Sequence, residues 1–190
     1  MALNPTIQHK LRAEIRENIP SSDSPVTSDL LESLPYLNGV CEETLRLFPT
    51  VPTTIREAVR DTTVAGVPIP RDTLMLIVPY AINRNPVAWG PNADECVPER
   101  WIDVGADGKG RPNKNGGAPS NFNDITFLHG QRACIGRDFA KAELRCAVAG
   151  VVGKFHMEME DPNEYIKIAG VVTTKPVQGM KLIMKPIDGW

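Results

Sequence analysis

Seventeen prolines punctuate this 190-residue chain and set where its regular elements can begin and end. A proline inside a helix removes a backbone hydrogen bond and clashes with the preceding turn, so helices must fit between prolines or start on one. Asn4-Pro5 predicts a helix start, and Ile7, Leu11 and Ile15 recur every four residues, giving a helix over 5–18 that Pro20 ends. Residues 20–28, PSSDSPVTS, read as loop, with a short helical piece at 29–33. Pro35 opens and Pro49 closes a helix over 35–48, with Leu37, Val40, Cys41, Leu45 and Phe48 on its buried side.

The remaining segments are shorter. Residues 51–59 and 62–70 alternate enough to be strands with an Ala65-Gly66 hairpin turn, and Leu74–Val78 is an apolar run of strand length, so strands are expected within 51–78. Proline, glycine and asparagine dominate 83–123; residues 86–126 read as a meandering loop, with GADGKGRPNKNGG at 105–117 as a flexible surface insertion. A helix over 135–154 and short strands near 155–159, 166–172 and 180–184 complete the chain. The expected fold is one domain, mainly α with small antiparallel β-sheets (α+β).

Composition excludes several functions. With 42% hydrophobic residues and a net charge of −2 there is no basic excess to bind nucleic acid. The longest apolar run, Leu74–Ile82, is broken by Pro79 and too short to span a bilayer, and the N-terminus lacks the apolar stretch of a signal peptide, so no anchor or address label is expected here. Cysteines 41, 96, 134 and 146 lack CxxC spacing, and His9, His129 and His156 are scattered, so neither a zinc cluster nor a disulfide framework is expected. Cys41 and Cys146 fall on helical apolar patterns and read as small buried hydrophobes.

Cys134 differs through its neighbours, Phe127-Leu-His-Gly130-Gln-Arg132-Ala-Cys134-Ile-Gly136, which run straight into a helix. Alone it would read as a buried thiol. A helix start stabilises a thiolate, the form that binds metal, while Gly130 and Gly136 permit a sharp bend and close approach to a flat group. Glu43 and Arg46, three apart, share a helix face; such a pair is usually solvated and worth little, and Pro98-Glu99-Arg100-Trp101 adds a third charge downstream.

In this order the motifs resemble the cytochrome P450 family, with Asp61, Gly66, Ile69-Pro70 and Asn83-Arg84-Asn85-Pro86 also following its pattern. The resemblance implies haem b as cofactor, with Cys134 as the axial ligand to iron, its thiolate favouring O–O cleavage. It implies that Phe127 shields the sulfur and that Arg132 and Arg56 meet the haem propionates, a bidentate chemistry suited to arginine. Glu43, Arg46 and Arg100 are implied as a buried triad locking the cysteine loop. Thr50, Val51, Pro52, Thr53 and Thr54, with the Val171–Thr174 turn that carries Val172 and Thr173, are implied to line a substrate pocket. Two positions depart from the family: Cys96 stands where Phe is usual and His129 where a small residue is common.

The implied function is a monooxygenase inserting one oxygen atom from O2 into a lipophilic substrate. Electrons would come from an NADPH-dependent flavoprotein reductase docking where Arg137, Lys141 and Arg145 follow the ligand, residues that otherwise read as a solvated face. Family members are more than twice this long and include a distal helix for proton delivery; full-length relatives are expected at the cytoplasmic face of the endoplasmic reticulum membrane. The chain is therefore expected to be a C-terminal, haem-binding portion. The alternative is a non-catalytic truncated fragment or pseudogene product. A coincidental loop on an unrelated domain is set aside by three motifs in order.

Overall fold

The computed structural model describes residues 1–21, 23–170 and 172–190. Its architecture is α+β. Helices α1 (Pro5–Asn18), α2 (Ser28–Ser33) and α3 (Pro35–Leu47) precede strands β1 (Thr54–Glu57), β2 (Thr62–Val64), β3 (Val67–Ile69) and β4 (Leu74–Ile77). Short helices α4 (Pro79–Ile82) and α5 (Pro86–Trp89) lead to a 3-10 turn at Pro98–Trp101 and strands β5 (Ile102–Val104) and β6 (Gly110–Pro112). Helix α6 (Arg137–Lys154) is followed by β7 (Phe155–Met159), β8 (Ile168–Ala169), β9 (Lys175–Pro176) and β10 (Leu182–Pro186). The sheets are antiparallel pairs: β1 with β4, β2 with β3, β5 with β6, β7 with β10 and β8 with β9.

The main core lies where α1, α2, α3 and α6 meet. Leu11 and Ile15 of α1, Leu31, Leu34, Leu37 and Val40, and Ala149 and Val152 of α6 close it, each large side chain contributing about 1.5–3 kcal/mol of transfer free energy. Helix α1 also finishes the ends of its neighbours. The start of α3 has no side-chain cap of its own, and the Glu14 carboxylate accepts the Tyr36 and Leu37 N–H groups at 2.8 and 2.7 Å. At the other end of the packing, Arg12 and Arg16 donate to the last carbonyls of α6, Val152 at 2.9 Å and Gly153 at 3.0 Å.

Several expectations need correction. Residues 62–70 are not one strand: Ala65 and Gly66 both take positive φ, 49° and 82°, and fold that segment into its own β2–β3 hairpin. The 51–59 segment pairs instead with 74–77. The 105–117 stretch is not wholly a flexible insertion, because β6 pairs with β5 and Gly116 packs against Trp89 and Trp101. Those two indoles, with centroids 5.8 Å apart, form a second small core with Ala93 and Ala118. Among the described residues of the strand expected at 166–172 only Ile168–Ala169 form a strand, and the last strand runs to Pro186. Phe48 is 52% exposed, its ring beside the Arg84 guanidinium rather than in the core. Cys146 is exposed, so it is not a buried hydrophobe, whereas Cys41 is buried. Among the described residues no helix is long and apolar enough to cross a membrane.

Candidate functional site

Helix α3 carries the charges on which the site is built. Glu43 and Arg46 are both 0% exposed, and their side chains form a forked pair: Arg46 Nε to Glu43 Oε2 and Arg46 NH2 to Oε1, each 2.8 Å. Burying two charges costs several kcal/mol each unless every polar atom finds a partner. Here they do. The other Arg46 N–H groups reach the carbonyls of Asn83 (2.7 Å), Ala93 (2.6 Å) and Glu95 (3.2 Å), and the guanidinium stacks over Trp89 at 4.8 Å. Glu43 further accepts the Val97 N–H at 2.9 Å and the Trp101 indole N–H at 3.0 Å.

Arg100 joins from the 3-10 turn. Its Nε lies 3.4 Å from Glu43 Oε1, near enough for an ion pair but off the line of a hydrogen bond. Its NH1 and NH2 donate to the carbonyls of Trp89 and Asn92 at 2.9 and 2.7 Å. Glycine lets the turn approach: a Cβ at Gly39 would stand 2.5 Å from the Pro98 carbonyl oxygen.

The cysteine loop crosses the far side of α3. It is closed by the Cys134 N–H donating to the Phe127 carbonyl at 2.9 Å, with a 3-10 turn at Gly130–Arg132 inside it. Leu128 and Gly130 have positive φ, 58° and 76°; for leucine that is a strained conformation held by its surroundings. Cys134 precedes the helix proper, since Gly136 is the N-cap and Arg137 the first helical residue. Cys134 is exposed, and Ile135 beside it is 105% exposed.

A cavity of about 640 Å³ opens beneath this loop. Leu45 of α3, Thr50, Val51, Thr54, Phe127, and Leu144 and Ala147 of α6 line it, together with Arg132 and Cys134. Sequence reasoning missed Glu143, an exposed carboxylate in the same wall. Arg56 is not in the wall, but its NH1 donates at 3.0 Å to the hydroxyl of Thr54, which is. A Cβ built at Gly130 or Gly136 would meet nothing within 4 Å, so no packing within the chain requires these residues to be small. A soft sulfur donor, a guanidinium, apolar walls and bare glycines at the loop form a donor set that fits a flat macrocycle with a metal centre and anionic arms. Among the described residues no cluster of three or more His, Cys, Asp and Glu offers an alternative metal site.

The structure does not bring every expected residue to this cavity. Pro52 lines a separate hollow of about 420 Å³ with Phe48, Tyr80 and Tyr165. Thr53 lines neither, Val172 and Thr173 are exposed on the surface, and Val171 lies outside the described residues. The basic face expected after the ligand is largely consumed. Arg145 is 9% exposed and donates to Asn38 Oδ1 at 2.7 Å and Glu32 at 3.2 Å; Lys141 pairs with Glu42 at 2.8 Å and Arg137 with Asp138 at 2.9 Å.

Comparison with known proteins agrees with the motif order. The family model for cytochrome P450 matches residues 1–182. Cytochrome P450 monooxygenase sphH of Aspergillus fumigatus is 42% identical over 98% of this chain and 34% of its own length. Cytochrome P450 monooxygenase ptmK of Penicillium ochrochloron is 42% identical over 98% of this chain and 36% of its own. Cytochrome P450 4V2 of Pongo abelii is 32% identical over 99% and 34%. The chain thus spans about a third of the length of the curated relatives it matches. With a family match across nearly its whole length, the chain belongs to the cytochrome P450 family of oxidoreductases.

Proposed function

We propose that the chain is the haem-binding portion, corresponding to the C-terminal half of the family fold, of a haem-thiolate monooxygenase that inserts one oxygen atom from O2 into a lipophilic substrate. The observation that carries this reading is the placement of Cys134 and Arg132 together in the wall of one apolar cavity. Cys134 would bind the iron of haem b, and Arg132 would meet a propionate, with Arg56 the candidate for a second. When bound, the haem supplies the oxygen-activating chemistry. The chain's own part is to hold and shield. Glu43, Arg46 and Arg100 fix the surroundings of α3, Phe127 and the apolar residues of α6 limit water at the sulfur, and Gly130 and Gly136 leave room for the ring. Thr50, Val51 and Thr54 are the substrate-facing residues this cavity favours.

An NADPH-dependent flavoprotein reductase as electron donor belongs to the same reading, with a surface other than Arg145 receiving it. So does residence of the whole protein at the cytoplasmic face of the endoplasmic reticulum membrane. The test is haem titration followed by reduction under carbon monoxide. The absorbance characteristic of thiolate-bound haem is expected for the native chain and for Cys41→Ser, Cys96→Ser and Cys146→Ser, and should vanish in Cys134→Ser. Its retention in Cys134→Ser overturns the assignment.

A second reading is haem binding without turnover, for which Cys134 and Arg132 in the cavity wall would suffice. An NADPH-driven assay with a reductase separates the two. Product matching NADPH consumption supports the monooxygenase, and peroxide alone supports the second reading.

A further inference from the structure

We propose that the side chain of Asn83 is a positioning residue for Cys134, tying the entry of the cysteine loop to the end of α3; this rests on Cys134 being the ligand. Asn83 is 0% exposed, and both donors and the oxygen of its carboxamide are engaged by two other segments. Its Nδ2 donates to the Arg46 carbonyl at 3.3 Å and to the Thr126 hydroxyl at 2.8 Å, and its Oδ1 accepts the Ile125 N–H at 3.0 Å. Its own carbonyl accepts from Arg46 NH1 at 2.7 Å, so the residue is held by the buried charge pair and in turn holds the loop.

The hold passes along the chain to the sulfur. The Thr126 hydroxyl, having accepted from Asn83, donates to the Asp124 carboxylate at 2.7 Å, with the Leu45 carbonyl 3.2 Å away. Ile125, fixed by Asn83, accepts the Leu128 N–H at 3.0 Å and so pins the residue with positive φ. Phe127, between these two anchors, accepts the Cys134 N–H at 2.9 Å. A single residue, held at its main-chain carbonyl by Arg46 and holding Thr126 and Ile125 with its carboxamide, therefore stands between the saturated guanidinium and the bond that closes the cysteine loop.

The chemistry selects asparagine. The site needs two donors and one acceptor on a short planar group. Aspartate keeps the acceptor but turns a charged oxygen toward the Arg46 carbonyl, and leucine keeps approximate size and loses all three bonds. Either leaves buried polar groups without partners.

The test uses the full 190-residue chain, with amide hydrogen exchange as a readout independent of haem. In Asn83→Leu and Asn83→Asp, exchange at Ile125, Leu128 and Cys134 should accelerate tenfold or more while Leu11 and Ile15 of α1 stay within twofold of native. Thr126→Val, which removes only the hydroxyl link, should speed the same loop amides by a smaller factor and keeps the test alive if the Asn83 variants do not fold. After haem is supplied, the fraction of haem showing the thiolate-type reduced-carbonyl absorbance should fall in the order native, Thr126→Val, Asn83→Leu. Loop amides unchanged in Asn83→Leu, or accelerated only in step with α1, overturn the proposal. A native chain that takes up no haem would instead count against the functional reading, and the exchange data would still decide the role of Asn83.

Discussion

The two sides of α3 settle their polar groups in opposite ways. Toward Trp89 and Trp101, two full charges are buried and every N–H of Arg46 has a partner. Toward the cysteine loop, thiol, guanidinium and glycines are presented outward, with Arg132 and Cys134 exposed in a cavity wall. The difference separates two kinds of residue that motif matching lumps together. On the first side substitution attacks the fold, and on the second it attacks the chemistry proposed for the loop.

Breaking the buried side gives the largest expected effect. Glu43→Ala strands Arg46 as an uncompensated buried charge and should cost about 3–5 kcal/mol, much of the stability of an ordinary domain. Urea unfolding followed by far-ultraviolet circular dichroism should find the variant unfolded or aggregated. Trp101→Phe, which removes the indole N–H to Glu43 Oε2 and some buried ring volume, should cost at least about 1–3 kcal/mol in the same experiment. A folded Glu43→Ala variant with a native midpoint would reduce the pair to an ordinary salt bridge and erase the contrast.

A smaller effect concerns Glu14, the carboxylate that caps α3. Burial holds its carboxyl above the ordinary range, outweighing the N–H bonds from Tyr36 and Leu37. The unfolded chain therefore ionises Glu14 first as pH rises, and native stability falls from the ordinary carboxylate pKa upward until the folded group ionises too. Glu14→Gln keeps an acceptor for one of the two N–H groups and removes the titration. Melting temperatures measured from pH 4 upward should decline less steeply in the variant; parallel curves would show that the cap carries no buried charge.

The smallest effect on stability belongs to the open side. Cys134→Ser should change the unfolding free energy by no more than about 0.5 kcal/mol, because the side chain is exposed. Alkylation sharpens the point. Iodoacetamide should label Cys134 and Cys146 in the folded chain, while Cys41, buried and with its thiol pushed up to about 12 by that burial, reacts only on unfolding. A large destabilisation in Cys134→Ser would mean the loop is part of the core after all.

What could be read from the sequence follows the reach of its interactions. The i,i+3 spacing of Glu43 and Arg46 is local, and the proline boundaries of α1 and α3 are properties of single residues, so both were legible. Trp101 and Asn83 were not, because their bonds to α3 span 58 and 37 residues and neither residue type announces a buried polar role. Arg145 misled for a related reason. Three basic residues at helical spacing look solvated until Asn38, 107 positions away, offers one of them its side-chain oxygen. Phe48 misled in the other direction, since helical periodicity was continued one residue past the end of α3, where the backbone leaves the helix and the ring turns to Arg84. The substrate-side expectations at Val172 and Thr173 rested on resemblance alone, and no local pattern tied them to the cavity.

The saturation of Arg46 has a consequence for how a sequence of this kind can drift. Five N–H groups in one plane are all engaged, two by a carboxylate and three by carbonyls of residues 83, 93 and 95. Lysine offers three donors around a point charge and no plane, so no single replacement reproduces the set. A change at position 46 therefore disturbs position 43 and two separate stretches of backbone, around 83 and 93–95, at once. Variation is instead channelled to places such as Ala106 and Lys109 at the tip of the β5–β6 hairpin, whose side chains are exposed.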